Sequence, residues 1–360
     1  MPTVNAKYIS IFVTTDCNLN CAYCYTQQTR AQNVIDIEFA KKGIDDFFTK
    51  YPYRGIRFQG GGEPTLRLDV IQEILNYSRE KWGEINVELQ TNGVFDDTVL
   101  DWVKNNIDII WVSHDGLPKI HDIHRPDMKG LPTSLIVEKN IRHLVDANKT
   151  VGARCCITTL NVNRQHEIVD YLSSLGIKTI YGDNIFVTDY NEHMNKLYNI
   201  PTWESYLDGF IKAKKRSKEI GVFYGSWLTV NFATETVRNC SSCIPLPRLT
   251  TDGYVSSCDV TSLGEDGPEI FIYGKWDKES KEIHYNTKQS YVLHDRSLEN
   301  LNRCKHCSIG PYCAGSCAGK VYLKTGSLFK MDHDVCKATK KLAHYLPLGM
   351  GKEPNELEHP

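Results

Sequence analysis

YISIFVTTDCNLNCAYCY, residues 8–25, decides how the rest of the chain is read. Its first half is a β-rich run, and its second half places Cys17, Cys21 and Cys24 at C-x3-C-x2-C directly after that strand. Working outward, further strand-like runs occur at 55–59, 85–90, 108–113, 151–158 and 177–187. Between them lie stretches such as IEFAKKGIDDFFTK, VIQEILNYSREKW and RQHEIVDYLSSLG, whose apolar residues recur at i, i+3 and i+4, the period of a helix. Six β-then-α units in succession predict an α/β fold, a parallel sheet with helices outside, as an open barrel or a doubly wound sheet. In either form ligands gather at the C-terminal ends of the strands.

Composition narrows the function classes. The 360 residues are 41% hydrophobic and 24% charged, ordinary for a globular protein, with Lys and Arg (42) nearly balancing Asp and Glu (44). A net charge of −2 offers no basic footprint for nucleic acid or an anionic membrane. Nowhere do eighteen apolar residues run together, and MPTVNAKYIS lacks the basic and apolar regions of a secretory signal, so a cytoplasmic location is expected. Thirteen cysteines are too few for a disulfide scaffold and many for such a chain; an odd count without a signal points to metal ligation.

Three thiols in a tight loop leave a zinc ion one ligand short. A [4Fe–4S] cube has four irons, so three cysteines leave one iron open to a non-protein ligand. The motif, with Tyr23 before its last cysteine, closely resembles the cluster motif of the radical S-adenosylmethionine superfamily. That resemblance implies a partial (β/α)6 TIM-like barrel. It also implies a cofactor whose methionine amino and carboxylate groups chelate the open iron and which is cleaved to a 5′-deoxyadenosyl radical. Gly61-Gly62-Glu63-Pro64, after the second strand, resembles the family's GGEP motif, whose backbone and acid hold the methionine ammonium. QTNG (90–93) and VSHDGLPKIHDIHR (112–125) end the third and fourth strands. They resemble segments of the peptide-modifying branch, and they nominate Gln90, Asn92 and Ser113, with Tyr23, as cofactor contacts. The second departs from the S-x-DGP-x-x-H-x-x-x-R pattern by an inserted Leu117, which blurs the spacing after it. His121 and His124 are expected to cap a helix or face solvent, and Cys155 and Cys156 to be small hydrophobes on a buried strand.

Eight cysteines remain: Cys240-x2-Cys243, then Cys258, then Cys304-x2-Cys307-x5-Cys313-x3-Cys317, then Cys336. Two four-cysteine zinc sites fit the count, but the x5 and x3 gaps favour two more [4Fe–4S] clusters. The array closely resembles the SPASM domain, which follows radical S-adenosylmethionine cores in peptide-modifying enzymes. The resemblance assigns Cys240, Cys243, Cys258 and Cys317 to an inner auxiliary cluster and Cys304, Cys307, Cys313 and Cys336 to an outer one, three clusters in all. Asp259 matches the place of a proton-accepting acid in anaerobic sulfatase-maturating enzymes, and can equally be a turn-forming residue.

The expected organisation is a barrel domain over 1–200, a helical linker over 201–237, a SPASM domain over 238–345 and a frayed tail over 346–360. The region 238–336 is poor in core formers and is expected to need metal staples. The expected activity is hydrogen abstraction from a peptide, giving an oxidation, cross-link or thioether in a ribosomal peptide. Sulfatase-type maturation and small-molecule oxidation or epimerisation are the alternatives. A reduced flavodoxin or ferredoxin would supply electrons, and the auxiliary clusters would remove the surplus one. Only sixteen residues precede Cys17, so either a separate leader-binding protein presents the peptide or the enzyme grips a short motif itself.

Overall fold

A computed structural model describes residues 7–26, 33–185 and 200–357. Strands β1 (Ile9–Phe12), β2 (Gly55–Gln59), β3 (Asn86–Thr91), β4 (Ile109–Ser113), β5 (Thr150–Ile157) and β6 (Thr179–Asn184) lie side by side in chain order, all parallel. Helices α1 (Ile37–Lys50), α2 (Leu68–Trp82), α3 (Asp97–Asn106), α4 (Pro118–His124), α5 (Ser134–Asp146) and α6 (Gln165–Ser174) make the crossovers. The six expected units are all present; residues 186–187 of the last expected strand lie outside the described residues.

Strand alternation sorts the side chains. Ile9, Ile11, Ile56, Phe58, Val87, Leu89, Ile110, Val112, Ala153 and Cys155 enter one core with the helices. Their neighbours of opposite parity, including Arg57, Gln59, Glu88, Gln90, Trp111, Ser113, Arg154, Cys156, Tyr181 and Asp183, face the other side of the sheet. That side is polar toward the strand ends. Arg57 donates to both oxygens of Glu88, at 2.5 and 3.2 Å, in a buried pair.

The segment expected to be only a linker extends the sheet instead. Helix α7 (Trp203–Glu219) packs on α6 and leads into β7 (Phe223–Gly225), parallel to β6. The expected frayed tail is also corrected. Tyr181 donates from its hydroxyl to Leu357 O at 2.9 Å, Lys214 pairs with Glu353 at 2.9 Å, and Leu357 packs on Trp111, Tyr181 and Phe223. The tail covers the base of the sheet because an aromatic cluster there offers it an apolar surface.

Beyond β7 the chain returns to the opposite edge. Strand β8 (Arg248–Leu249) pairs in parallel with β1, and β9 (Tyr254–Ser256), β10 (Ile272–Asp277) and β11 (Glu282–Tyr285) continue antiparallel. Short helices α8 (Thr287–Asp295), α9 (Gly310–Cys313) and α10 (Ala318–Thr325) precede the longer α11 (His333–Tyr345). This half is not held by cysteines alone. Leu249, Val255, Phe271, Trp276 and Leu342 belong to the same core as the barrel, with Trp276 5.6 Å from Phe39 of α1. Gly43 of α1 makes that approach possible, since a Cβ there would sit 2.6 Å from Leu249. Among the described residues no helix is long and apolar enough to cross a membrane.

Candidate functional site

The loop after β1 carries Cys17, Cys21 and Cys24, packed with Leu19, Tyr23 and Ile185 in a small cluster of its own. It is locked to the glycine loop after β2 by backbone bonds: Gly62 N donates to Thr14 O at 3.0 Å and Glu63 N to Asp16 O at 2.7 Å. A Cβ on Gly62 would lie 1.9 Å from Asp16 O, so only glycine allows this contact. The Thr26 hydroxyl closes the ring by donating to Gly61 O.

Glu63 is 1% exposed, and one oxygen accepts from Thr65 N and from the hydroxyls of Thr65 and Thr91, while the other accepts Asn92 N at 2.7 Å. The acid therefore ties the ends of β2 and β3 together, a bracing role the motif alone does not reveal. Burial raises its pKa, and these donors oppose the shift. With only Asn92 N on its second oxygen, a lone pair there remains for an ammonium. Asn92 also points its amide at Asn18 (2.7 Å) and toward Cys17 Sγ (3.9 Å). Gln90 and Ser113 stand half-buried on the same side of the sheet, with no hydrogen bond from either side chain among the described residues.

A buried ionic knot supports the cysteine loop from below. Asp115 is fully buried, and its Oδ2 takes the Tyr23 hydroxyl, His124 Nδ1 at 3.1 Å and Arg125 Nε at 3.1 Å; its Oδ1 accepts Cys156 N at 2.9 Å. Arg125 lies over the Tyr23 ring at 5.3 Å. Burial alone would push the Asp115 carboxyl up; Arg125 and His124 reverse that and hold it well below the carboxylate range. This corrects the expectation for the two histidines. Both are 0% exposed: His124 bonds Asp115 and Thr158, and His121 accepts Asp115 N and contacts Thr133. The inserted Leu117 blurs nothing, because Pro118 starts α4 after it and keeps the H-x-x-x-R spacing on one helix. Sequence reasoning misses Asp115 and Arg125 as site residues, although both lie in the 112–125 segment. Their signal is an acid before and an arginine after one short helix, α4, which brings them together. Cys155 is core; Cys156 faces the cysteine loop.

Asp259 comes to this site from the other half of the chain. Gln59, the last residue of β2, donates to its Oδ1 at 2.8 Å, and Arg248 of β8 donates to the same oxygen at 2.6 Å and to Oδ2 at 3.3 Å. Burial raises the Asp259 pKa, but Arg248 and Gln59 outweigh it and hold the group at about 2. Its side chain keeps 40% of its surface open while that of Arg248 keeps 6%. Tyr25 lies between the two halves, close enough to feel the charges of Asp259, Cys24, Cys258 and Arg154.

The eight C-terminal cysteines fall into two neighbourhoods. Cys240 lies against Cys243, whose hydrogen bond first, with one from Ser242, lowers the Cys240 pKa to about 5. Burial, then the charges of Cys317 and Asp259, push Cys258 up to about 12, and Cys317 is raised by burial and then by Cys240. Cys304, Cys307, Cys313 and Cys336 line one cavity. Burial pushes Cys313 up to about 11, against opposing N–H donors from Ser316 and Gly315. Among the described residues no three His, Cys, Asp or Glu side chains converge as ligands of a single metal ion. Buried and half-buried thiols gathered in two neighbourhoods, with N–H groups turned to the Cys313 sulfur, suit iron–sulfur ligation.

The cysteine loop after β1, the glycine contact at Asp16 and the buried Glu63 thus meet at the C-terminal rim of an α/β sheet, where the sequence resemblance implies an iron–sulfur and S-adenosylmethionine site. Residues 11–172 match the model of the radical SAM superfamily. An uncharacterized protein of Methanocaldococcus jannaschii is 31% identical over 206 residues, covering 56% of this chain and 70% of that protein. The chain belongs to the radical SAM superfamily, whose members use a [4Fe–4S] cluster and S-adenosylmethionine. It is also similar to a cysteine-type anaerobic sulfatase-maturating enzyme of Clostridium perfringens, 22% identical over 91% of this chain and 93% of the other. The solved structure of anSMEcpe with bound AdoMet and Kp18Cys peptide has the same fold, with a TM-score of 0.72 at 18% identity, over 94% of this chain and 96% of that one.

Proposed function

We propose that this chain cleaves S-adenosylmethionine reductively at Cys17, Cys21 and Cys24 and removes hydrogen from a peptide or protein held at the rim between Gln59, Tyr25 and Asp259. With both bound, a cluster open at one iron and the cofactor supply a 5′-deoxyadenosyl radical. The protein does the rest. Gly61 and Gly62 bring backbone close to the methionine end. The remaining lone pair of Glu63 receives its ammonium, and Gln90 and Ser113 hold polar atoms of the cofactor. Asn92 steadies the Cys17 sulfur, and Tyr23 on its buried knot keeps the loop dry.

Asp259 is the proton acceptor in this reading. The substrate carbon loses a hydrogen atom, then an electron and a proton. Arg248 and Gln59 keep the carboxyl ionised, so it is able to accept the proton an oxidised radical carbon releases. The product is an oxidation, cross-link or thioether in a peptide. The observation that carries the reading is the meeting of Asp259 with Gln59 at the end of β2, one turn from the glycine loop. The peptide bound by anSMEcpe supports a peptide substrate. The similarity to sulfatase-maturating enzymes over nearly the whole chain favours formylglycine formation as the second reading. Cys240, Cys243, Cys258 and Cys317 would hold one auxiliary cluster, and Cys304, Cys307, Cys313 and Cys336 another. A flavodoxin or ferredoxin donor, a cytoplasmic setting and a separate leader-binding protein belong to the same proposal.

Anaerobic reconstitution followed by dithionite and S-adenosylmethionine tests it. Roughly twelve irons per chain and the appearance of 5′-deoxyadenosine are expected. An iron-loaded protein that leaves the cofactor intact would sink the reading.

A further inference from the structure

Arg296, at the end of α8, is among the largest fully buried side chains, at 0% exposure. Its Nε donates to Leu328 O at 2.8 Å, and its Nη2 to Gly315 O at 2.7 Å and Ser316 O at 3.1 Å. Its Nη1 faces Cys243 Sγ at 3.8 Å. Among the described residues no carboxylate forms an ion pair with it. A buried arginine without an anion is costly, because neutral carbonyls satisfy its donors but not its charge. The groups around it able to carry negative charge are thiols: Cys243 and Cys317 of one set and Cys304 of the other all feel the guanidinium.

The backbone that Arg296 grips links the two sets. Ala314, Gly315 and Ser316 have φ of 42°, 77° and 68°, three successive left-handed residues between Cys313 and Cys317. Two of them are not glycine, so the turn is strained and needs an outside hold. Two of its carbonyls turn to Arg296 while the N–H groups of Gly315 and Ser316 turn to Cys313.

We propose that Arg296 is the shared counter-cation of the two auxiliary cluster sites, offsetting their negative charge and raising the potential of the cluster at Cys243. This rests on the reading that the eight cysteines hold two clusters. Arg296 acts through those clusters as a positioning residue. A fixed positive charge favours the reduced state, which carries one more negative charge.

The test compares Arg296→Gln and Arg296→Lys with the wild type by iron and sulfide content and by EPR-monitored redox titration. In Arg296→Gln one auxiliary midpoint should shift to a more negative potential, or the auxiliary irons should be lost, with the Cys17/Cys21/Cys24 cluster unchanged. Arg296→Lys should restore the potential and the iron. Full iron with unchanged midpoints in Arg296→Gln overturns the proposal, as does a lysine variant no better than the glutamine. A wild-type protein with only about four irons instead removes the auxiliary clusters themselves, and so fails the reading beneath the proposal.

Discussion

The two cysteine-bearing regions use the same ligand in opposite ways. In the barrel, three thiols sit in one loop braced by contacts from the surrounding scaffold: the Asp115 knot, the glycine contact at Asp16 and the acid Glu63 across two strands. In the C-terminal half the two sets interleave along the chain, Cys317 of the inner set falling between Cys313 and Cys336 of the outer, joined by short helices and a left-handed turn. The first site is tied into the barrel by hydrogen bonds to β2, β3 and the segment after β4. The second sites are part of their own scaffold, even though β8 and Trp276 anchor that half to the barrel core. Losing metal ligands should therefore cost the second region more stability than the first.

The sharpest way to break this contrast is to remove ligands from each side. Replacing Cys17, Cys21 and Cys24 by Ala should abolish 5′-deoxyadenosine formation while the thermal melt followed by circular dichroism stays put. Replacing Cys258 and Cys317 should lower the melting temperature; equal melts for both variants would erase the distinction. Next in size is the knot. Arg125→Met takes the guanidinium from Asp115 at full burial and leaves its charge to His124, Tyr23 and Cys156 N, with an expected loss of about 3–5 kcal/mol in urea unfolding. A loss below about 1 kcal/mol would show that His124 and Tyr23 suffice to hold it.

Smaller effects sharpen the picture at the rim. Gly62→Ala forces the loops apart at a contact of 1.9 Å and should weaken S-adenosylmethionine binding at least about tenfold, or ~1.4 kcal/mol, by equilibrium dialysis. Asp259→Asn should leave cofactor cleavage intact and slow peptide turnover on the order of 10²-fold or more. The sign of its pH dependence comes from a depressed pKa: the charge is complete above the unfolded value of 3.8 and is lost only as pH falls through about 2. The ratio of wild-type to variant turnover should thus stay flat above about pH 5; a step near neutrality would place another group in the role.

Much of the site was legible because its chemistry is local. C-x3-C-x2-C, GGEP and QTNG each name a loop at a strand end, and strand ends of a parallel sheet converge by construction. The role of Glu63 was not legible in the same way. A motif says which residue stands at a turn, while the four donors that hold its carboxyl come from the ends of two strands. The histidines illustrate the opposite error. On sequence, His121 and His124 look like helix-end polar residues, and only packing shows them sealed against Asp115 and Thr133.

Local pattern alone settled the six strand–helix units and the grouping of thiols along the chain, since periodicity and spacing are properties of neighbours in sequence. Contact across the fold settled the rest: the seventh strand, the docked tail, the pairing of Asp259 with Gln59 and Arg248, and the burial of Arg296 between two cysteine sets. These depend on which surfaces meet when apolar area is removed from water, and no short window of residues carries that information.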